Sequence, residues 1–356
     1  MPCKPLPKED LDHVLAHTRE HWGEARGKSF FITGGTGFFG MWLLETFTHI
    51  NDALALGMSA TVLTRDPEAF AQKAPHLTSR KDLKFIRGDI QTFDFPQGKF
   101  EYIVHAATAA SAKLNQENPL LMYDTITLGT RRVLQFAEQC GVTKLLLTSS
   151  GAVYGKQPSN MLNIPESYLG GPDPLSPSSA YAEGKRAAEH ICSLHSRIHN
   201  YECKIARCFA FVGPHLPTNA HFAIGNFLRN AIQGKTISIL GDGTPFRSYL
   251  YAADLVTWLW VILLTGKASA AHNVGSEEMV SIRELAEIVQ SATSANSGVF
   301  LSRSPDLSKQ PERYVPSTAY SREQLKLPPP IRLVEAIGKT YSWCKDSCCL
   351  LAGTHH

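Results

Sequence analysis

Six stretches of this 356-residue chain are predominantly apolar and rich in β-branched or aromatic residues. They are SFFIT (29–33), ATVLTR (60–65), LKFIRG (83–88), YIVHA (102–106), KLLLTSS (144–150) and KIARCFAFVG (204–213). Their apolar character is continuous rather than alternating, which implies strands buried on both faces. Helical patterns lie between several of them, as at 38–50 and 130–141. Strand, helix, strand in that order gives a parallel sheet with right-handed crossovers.

The first strand runs into ITGGTGFFG, which puts Gly34, Gly37 and Gly40 at a strand–turn–helix junction. The first glycine permits a tight turn and the second lets backbone approach a pyrophosphate. The third lets helix pack closely on strand, with the phosphates facing the helix N-terminus. The expected fold class is therefore α/β: a Rossmann-like doubly wound parallel sheet with a smaller C-terminal α/β substrate-binding lobe. The second strand ends Leu63-Thr64-Arg65 where an acid would hold an NAD ribose. Arg65 suits a 2′-phosphate, so NADP(H) is favoured and NAD(H) stays open, Asp66 being one step further on.

After residue 213 the rhythm breaks. Residues 1–27 read as an N-terminal helical extension, with Leu11, Val14, Leu15 and Trp22 as its apolar side. Residues 28–213 read as the dinucleotide-binding domain, with 247–275 returning to it. Residues 214–246 and 276–343 form the substrate lobe, and 344–356 a tail. The Gly-, Pro- and Ser-rich stretch 155–179 is expected to run over the surface near the site.

Composition removes other classes. A 43% hydrophobic and 19% charged chain buries a normal core. A net charge of +3 without a basic block speaks against nucleic acid. The longest apolar run, near 255–266, is too short for a bilayer, and the N-terminus lacks a signal-like apolar segment. Eight cysteines are scattered, and only Cys344, Cys348 and Cys349 cluster, without a CxxC pair. No metal site and no membrane are expected, and the chain reads as a reduced cytoplasmic protein.

Tyr181 and Lys185 stand four residues apart, hence on one face of a helix. A tyrosine of ordinary pKa, about 10, is a poor base at neutral pH, and an adjacent ammonium lowers that value. Ser149 or Ser150, at the carboxyl end of a central strand, can bond the same substrate oxygen. Serine, tyrosine and lysine then handle a proton while a nicotinamide handles a hydride.

With these motifs in place, the chain resembles the extended short-chain dehydrogenase/reductases of the NAD(P)-dependent nucleotide-sugar epimerase/dehydratase family. The carriers are TGGTGFFG, GDI (88–90), HAA (105–107), LGT (128–130), SSGAVYG, YAEGK, RCFAFVGP (207–214), GDGTPFRSYLYAADL (241–255) and NVGS (273–276). The resemblance implies that Ser150, Tyr181 and Lys185 are catalytic. It implies that Gly34, Thr36, Gly37, Phe38, Phe39, Gly40 and Arg65 hold the dinucleotide. Asp89 and Ile90 flank its adenine, Ala106 and Ala107 line its ribose and phosphates, Lys185 holds the nicotinamide ribose, and Phe209 lies near the nicotinamide. Arg247 grips the diphosphate of a nucleotide-sugar substrate, a role its planar fork suits. The family likeness further implies a homodimer through helices near 113–141 and 180–197.

Departures from the family pattern bear on the reaction. Dehydratases and decarboxylases of the family carry an Asp-Glu or Ser-Glu pair just before Val-Tyr-Gly, where this chain has Gly151 and Ala152. Neither side chain moves a proton. GDP-fucose synthase-like enzymes carry a cysteine matching Ala152 and a histidine matching His215; only the histidine is present. What remains is 4-epimerisation, preferred here, or reduction of a keto sugar. Dehydration, decarboxylation or a non-catalytic dinucleotide sensor come lower. Ile126 replaces an asparagine, and Ala210 replaces a substrate-phosphate asparagine; His215 and His221 are candidates to compensate.

Overall fold

A computed structural model describes residues 2–108, 112–218, 222–293, 298–306 and 308–346. His221, Cys348 and Cys349 lie outside them. The strands are β1 (Ser29–Thr33), β2 (Ser59–Thr64), β3 (Leu83–Arg87), β4 (Tyr102–His105), β5 (Lys144–Ser150), β6 (Glu202–Cys208), β7 (Phe211–Val212), β8 (Ile237–Ile239), β9 (Phe246–Arg247), β10 (Leu250–Tyr251), β11 (Ala271–Val274), β12 (Val280–Ser281), β13 (Val299–Leu301) and β14 (Arg313–Tyr314). The helices are α1 (Lys8–Thr18), α2 (Phe38–Ala53), α3 (Pro67–Lys73), α4 (Pro75–Thr78), α5 (Ala112–Glu117), α6 (Pro119–Gln139), α7 (Ala180–His199), α8 (Ala223–Ile232), α9 (Ala252–Thr265), α10 (Ile282–Thr293), α11 (Ala319–Leu325) and α12 (Leu333–Lys345).

Seven strands form one parallel sheet in the order β11-β6-β5-β4-β1-β2-β3. The chain winds outward one way from β1 to β3, then restarts beside β1 with β4 and winds the other way. That reversal opens a crevice at the carboxyl ends of β1 and β4, where ligands of such sheets bind. Both sheet faces carry apolar cores. One gathers Phe30, Trp42, Phe47, Trp258 and Trp260, and the other Phe31, Phe93, Ile103, Phe136 and Leu145. The 255–266 run is the buried middle and end of α9.

The N-terminal extension is built into the first core rather than appended to it. Val14 and Trp22 are wholly buried, and Trp22 meets Trp260 edge-on at 5.1 Å. The buried Asp10 carboxylate accepts from the Tyr251 hydroxyl at 2.6 Å. The 204–213 run divides at Phe209 and Ala210. β6 stays in the large sheet, while β7 leaves it to pair with β10. A second layer beside the carboxyl ends contains the small sheet β12-β9-β14, in which Arg247 of β9 stands opposite Tyr314 of β14.

Candidate active site

The glycine turn does what its spacing requires. Gly34 has φ +75°, and a Cβ there would lie 2.5 Å from the Ala106 carbonyl carbon; at Gly40 it would lie 2.2 Å from the carbonyl carbon of Gly35. Gly37 differs, since an added Cβ would find its nearest protein atom at 3.7 Å. Protein packing does not demand a glycine at that exposed position beside the start of α2. A phosphate-bearing ligand does, and so the loop fits a dinucleotide. Thr36 presents its carbonyl to Lys73 at 3.2 Å. Phe39 packs edge-on against Phe211, and Phe38 beside Phe39.

The wall opposite is fixed from below. Thr33 Oγ1 pairs with His105 Nδ1 at 2.8 Å and accepts from the Ala107 amide at 3.1 Å. Burial drives the His105 imidazole down to about 3, so it is neutral. Ala106 and Ala107 are thereby held against Gly34. Ile90 packs over Gly129, where a Cβ would come within 3.0 Å. The exposed Asp89 accepts from the Gln91 amide. Arg65 is exposed at the end of β2, and the Asp66 carboxylate caps α3 through the Ala69 amide.

β5 delivers two serines with different duties. Ser149 Oγ donates to Glu189 at 2.5 Å, and Glu189 also receives the Arg207 guanidinium at 2.7 Å. Arg207 in turn donates to Tyr154 Oη, which donates to Asn273. This buried network ties β5, α7, β6 and β11 together and leaves Ser150 as the serine of the site. Lys185 is buried, with Nζ donating to the Thr148 carbonyl at 2.8 Å. Ser150 lies close enough to Tyr181 for its hydroxyl to favour the phenolate. The three expected catalytic residues therefore meet at the carboxyl end of β5.

Their electrostatics depart from the expectation that the ammonium lowers the phenol. Burial pushes Tyr181 up to about 12 and outweighs the Ser150 hydrogen bond. Lys185 itself is driven down to about 8, again by burial. Desolvation is the largest influence on both groups, on the buried Lys185 and on the half-buried Tyr181 alike.

Phe209 lies under the site, its ring 4.8 Å from that of Tyr314. A Cβ on Gly151 would come 2.6 Å from that ring. Arg247 Nη1 donates to the Phe246 carbonyl, and its charge acts on Tyr314. His215 is a correction. Its ring is buried against Trp343 at 4.7 Å, with Nε2 3.6 Å from Glu45 Oε1, so it braces α2 instead of facing the Ser150 group. Ile126 is likewise a packing residue, set against Gly184 of α7. Tyr314, beside Phe209 and in register with Arg247, is not anticipated by the sequence. Only the pairing of β14 with β9 brings it in.

The NAD dependent epimerase/dehydratase family model matches residues 30–275. The chain belongs to that family. UDP-glucuronic acid decarboxylase 1 of Danio rerio is 30% identical over 346 residues, covering 95% of this chain and 79% of that protein. UDP-glucuronic acid decarboxylase 1 of Arabidopsis thaliana is 30% identical over 315 residues, covering 87% and 68%. Among solved structures, a UDP-glucose 4-epimerase from Thermotoga maritima with UDP-glucose superposes with a TM-score of 0.74 at 20% identity, over 89% of this chain and 98% of that one. A dTDP-glucose 4,6-dehydratase from Streptomyces venezuelae with NAD bound gives 0.74 at 22% identity, over 88% and 96%. These likenesses establish the Rossmann-like fold. Among the described residues, no helix is long and apolar enough to cross a membrane.

Proposed function

We propose that this enzyme oxidises the 4-hydroxyl of a nucleotide sugar and that its substrate is UDP-glucuronate, which it decarboxylates. The observation that carries the oxidoreductase part is the gathering of Ser150, Tyr181 and Lys185 at the carboxyl end of β5. The curated relatives support the decarboxylase, and they move the reading away from 4-epimerisation, to which the residues alone lean. A nicotinamide dinucleotide held by Gly34, Gly37 and Gly40 would supply reversible uptake of a hydride.

The chain's own residues do the rest. Ser150 orients the sugar 4-oxygen and Tyr181 takes its proton as hydride departs, a transfer that the Lys185 ammonium, one turn along α7, has to favour against the burial that raises the phenol. Arg247 holds the diphosphate. A 4-ketone makes the sugar carboxylate a β-keto acid, so the electrons of the departing carbon dioxide pass to the 4-oxygen. Ser150 and Tyr181 donate to that oxygen, which is where negative charge develops. Breaking this bond needs an electron sink, not a base, so Gly151 and Ala152 do not bar it. Thr64 and Arg65 at the end of β2 support NADP(H) over NAD(H), since Asp66 is engaged in capping α3. Competition titration of the two dinucleotides tests that preference.

The experiment is to incubate the enzyme and dinucleotide with UDP-glucuronate and with UDP-glucose, and to identify products by NMR. UDP-pentose plus carbon dioxide from the first is the expected result. Interconversion of UDP-glucose with its 4-epimer, and an untouched UDP-glucuronate, would return the reading to an epimerase.

A further inference from the structure

Loss of carbon dioxide from a 4-keto sugar leaves an electron pair that must capture a proton at C5. Neither residue after Ser150 offers one, for Gly151 has no side chain and Ala152 only a methyl. Nor is there space to add an acid, because a Cβ at 151 would sit 2.6–2.8 Å from three atoms of the Phe209 ring. The proton must come from another wall of the site.

β14 supplies that wall. Pairing with β9 sets Tyr314 opposite Arg247, and the Phe209 ring lies beside it at 4.8 Å. The Ser150 hydroxyl lies close enough to both the Tyr314 and the Tyr181 phenols to favour their ionised forms, and the Arg247 charge acts on Tyr314 in the same direction. Two phenols thus flank one serine, and a cation is near each in sequence or in strand register. Lys185 is four residues from Tyr181 along α7, and Arg247 lies across the strand pair from Tyr314.

We propose that Tyr314 is the acid that delivers the C5 proton, a role resting on the decarboxylase reading above. The C5–carboxyl bond breaks and its pair forms the C4–C5 enolate as carbon dioxide leaves. The Tyr314 O–H bond then breaks, a C5–H bond forms, and the enolate collapses to the 4-ketone. The Tyr314 phenolate regains a proton from water, so each turnover consumes one proton. Tyr181 and Lys185 remain responsible for the proton on the 4-oxygen. Burial holds the Tyr314 phenol above its ordinary value, keeping it protonated at neutral pH. The Arg247 guanidinium stabilises the phenolate left after transfer.

The test compares full-length wild type, Tyr314→Phe and Tyr181→Phe with UDP-glucuronate in D2O. Tyr314→Phe keeps the ring and is expected to reduce the cofactor in a burst within about threefold of wild type, which also reports that it is folded. Its product formation is expected to fall about 10²–10⁴-fold, with reduced cofactor accumulating and deuterium entering C5 on both faces. Tyr181→Phe loses the burst. Product formation by Tyr314→Phe within about threefold of wild type, with deuterium on one face, overturns the assignment. Loss of the burst in Tyr314→Phe also overturns it, making Tyr314 a positioning residue for Ser150. If wild type leaves UDP-glucuronate unchanged, the decarboxylase reading fails and takes this role with it, an outcome visible before any variant is made.

Discussion

Adding one methyl group at Gly151 tests whether the floor of the site is as tightly closed as it stands. In Gly151→Ala the new Cβ would lie 2.6, 2.7 and 2.8 Å from three carbons of the Phe209 ring. Carbon atoms rest at about 3.5–4.0 Å, so the ring must retreat by about 1 Å. Retreat toward Tyr314 is limited, since that ring stands 4.8 Å away, tilted against Phe209. Overpacking of this kind costs about 1–3 kcal/mol. A displacement of about 1 Å beneath the reacting sugar costs about 10²-fold in rate. Guanidinium denaturation and stopped-flow cofactor reduction measure the two effects. Gly338→Ala is the control, because no atom lies within 4 Å of its Cβ and a helical alanine stabilises by about 0.5–1 kcal/mol. A Gly151→Ala protein with wild-type stability and rate would refute the packing argument.

Glu189→Ala leaves the Arg207 guanidinium and Ser149 without their shared partner, and is expected to destabilise by about 3–5 kcal/mol in chemical denaturation; a loss under about 1 kcal/mol contradicts the network's role. Lys185, lowered by burial from 10.5 to about 8, binds a proton in the unfolded chain but not the folded one between those values. Stability therefore gains from this group as pH rises through that window, by at most about 3 kcal/mol. Lys185→Met is expected to lose that gain, so the difference in unfolding free energy between wild type and variant should grow from pH 8 to 10. A flat difference contradicts the burial of its charge. Leu128, Leu194 and Ile198 expose apolar side chains on α6 and α7, and light scattering is expected to find a dimer that Ile198→Glu weakens.

Most of the sheet is legible because its signals are local. SFFIT and KLLLTSS become strands with the same limits as their apolar runs, and the glycine turn needs only its own spacing. The serine–tyrosine–lysine group follows from strand ends and a helical period. What escapes is set by distant pairings. Tyr314 belongs to a two-residue strand whose partner, β9, lies far back in the chain. His215 reads as a site residue until Glu45 and Trp343 close around it. The ten-residue run at 204–213 splits because Phe211 and Val212 find Leu250 and Tyr251. Burial alone decides the direction of the Tyr181 shift, and no spacing in the sequence encodes it.

The central claim is that Tyr181 removes a proton from the sugar 4-hydroxyl while hydride leaves C4. UDP-glucuronate carrying deuterium at C4 tests it directly, by following cofactor reduction and the fate of the label together. Slower reduction with the deuterated sugar and recovery of the label at C4 of the product are expected. Equal rates with the two sugars, or deuterium washed out into water, would contradict it.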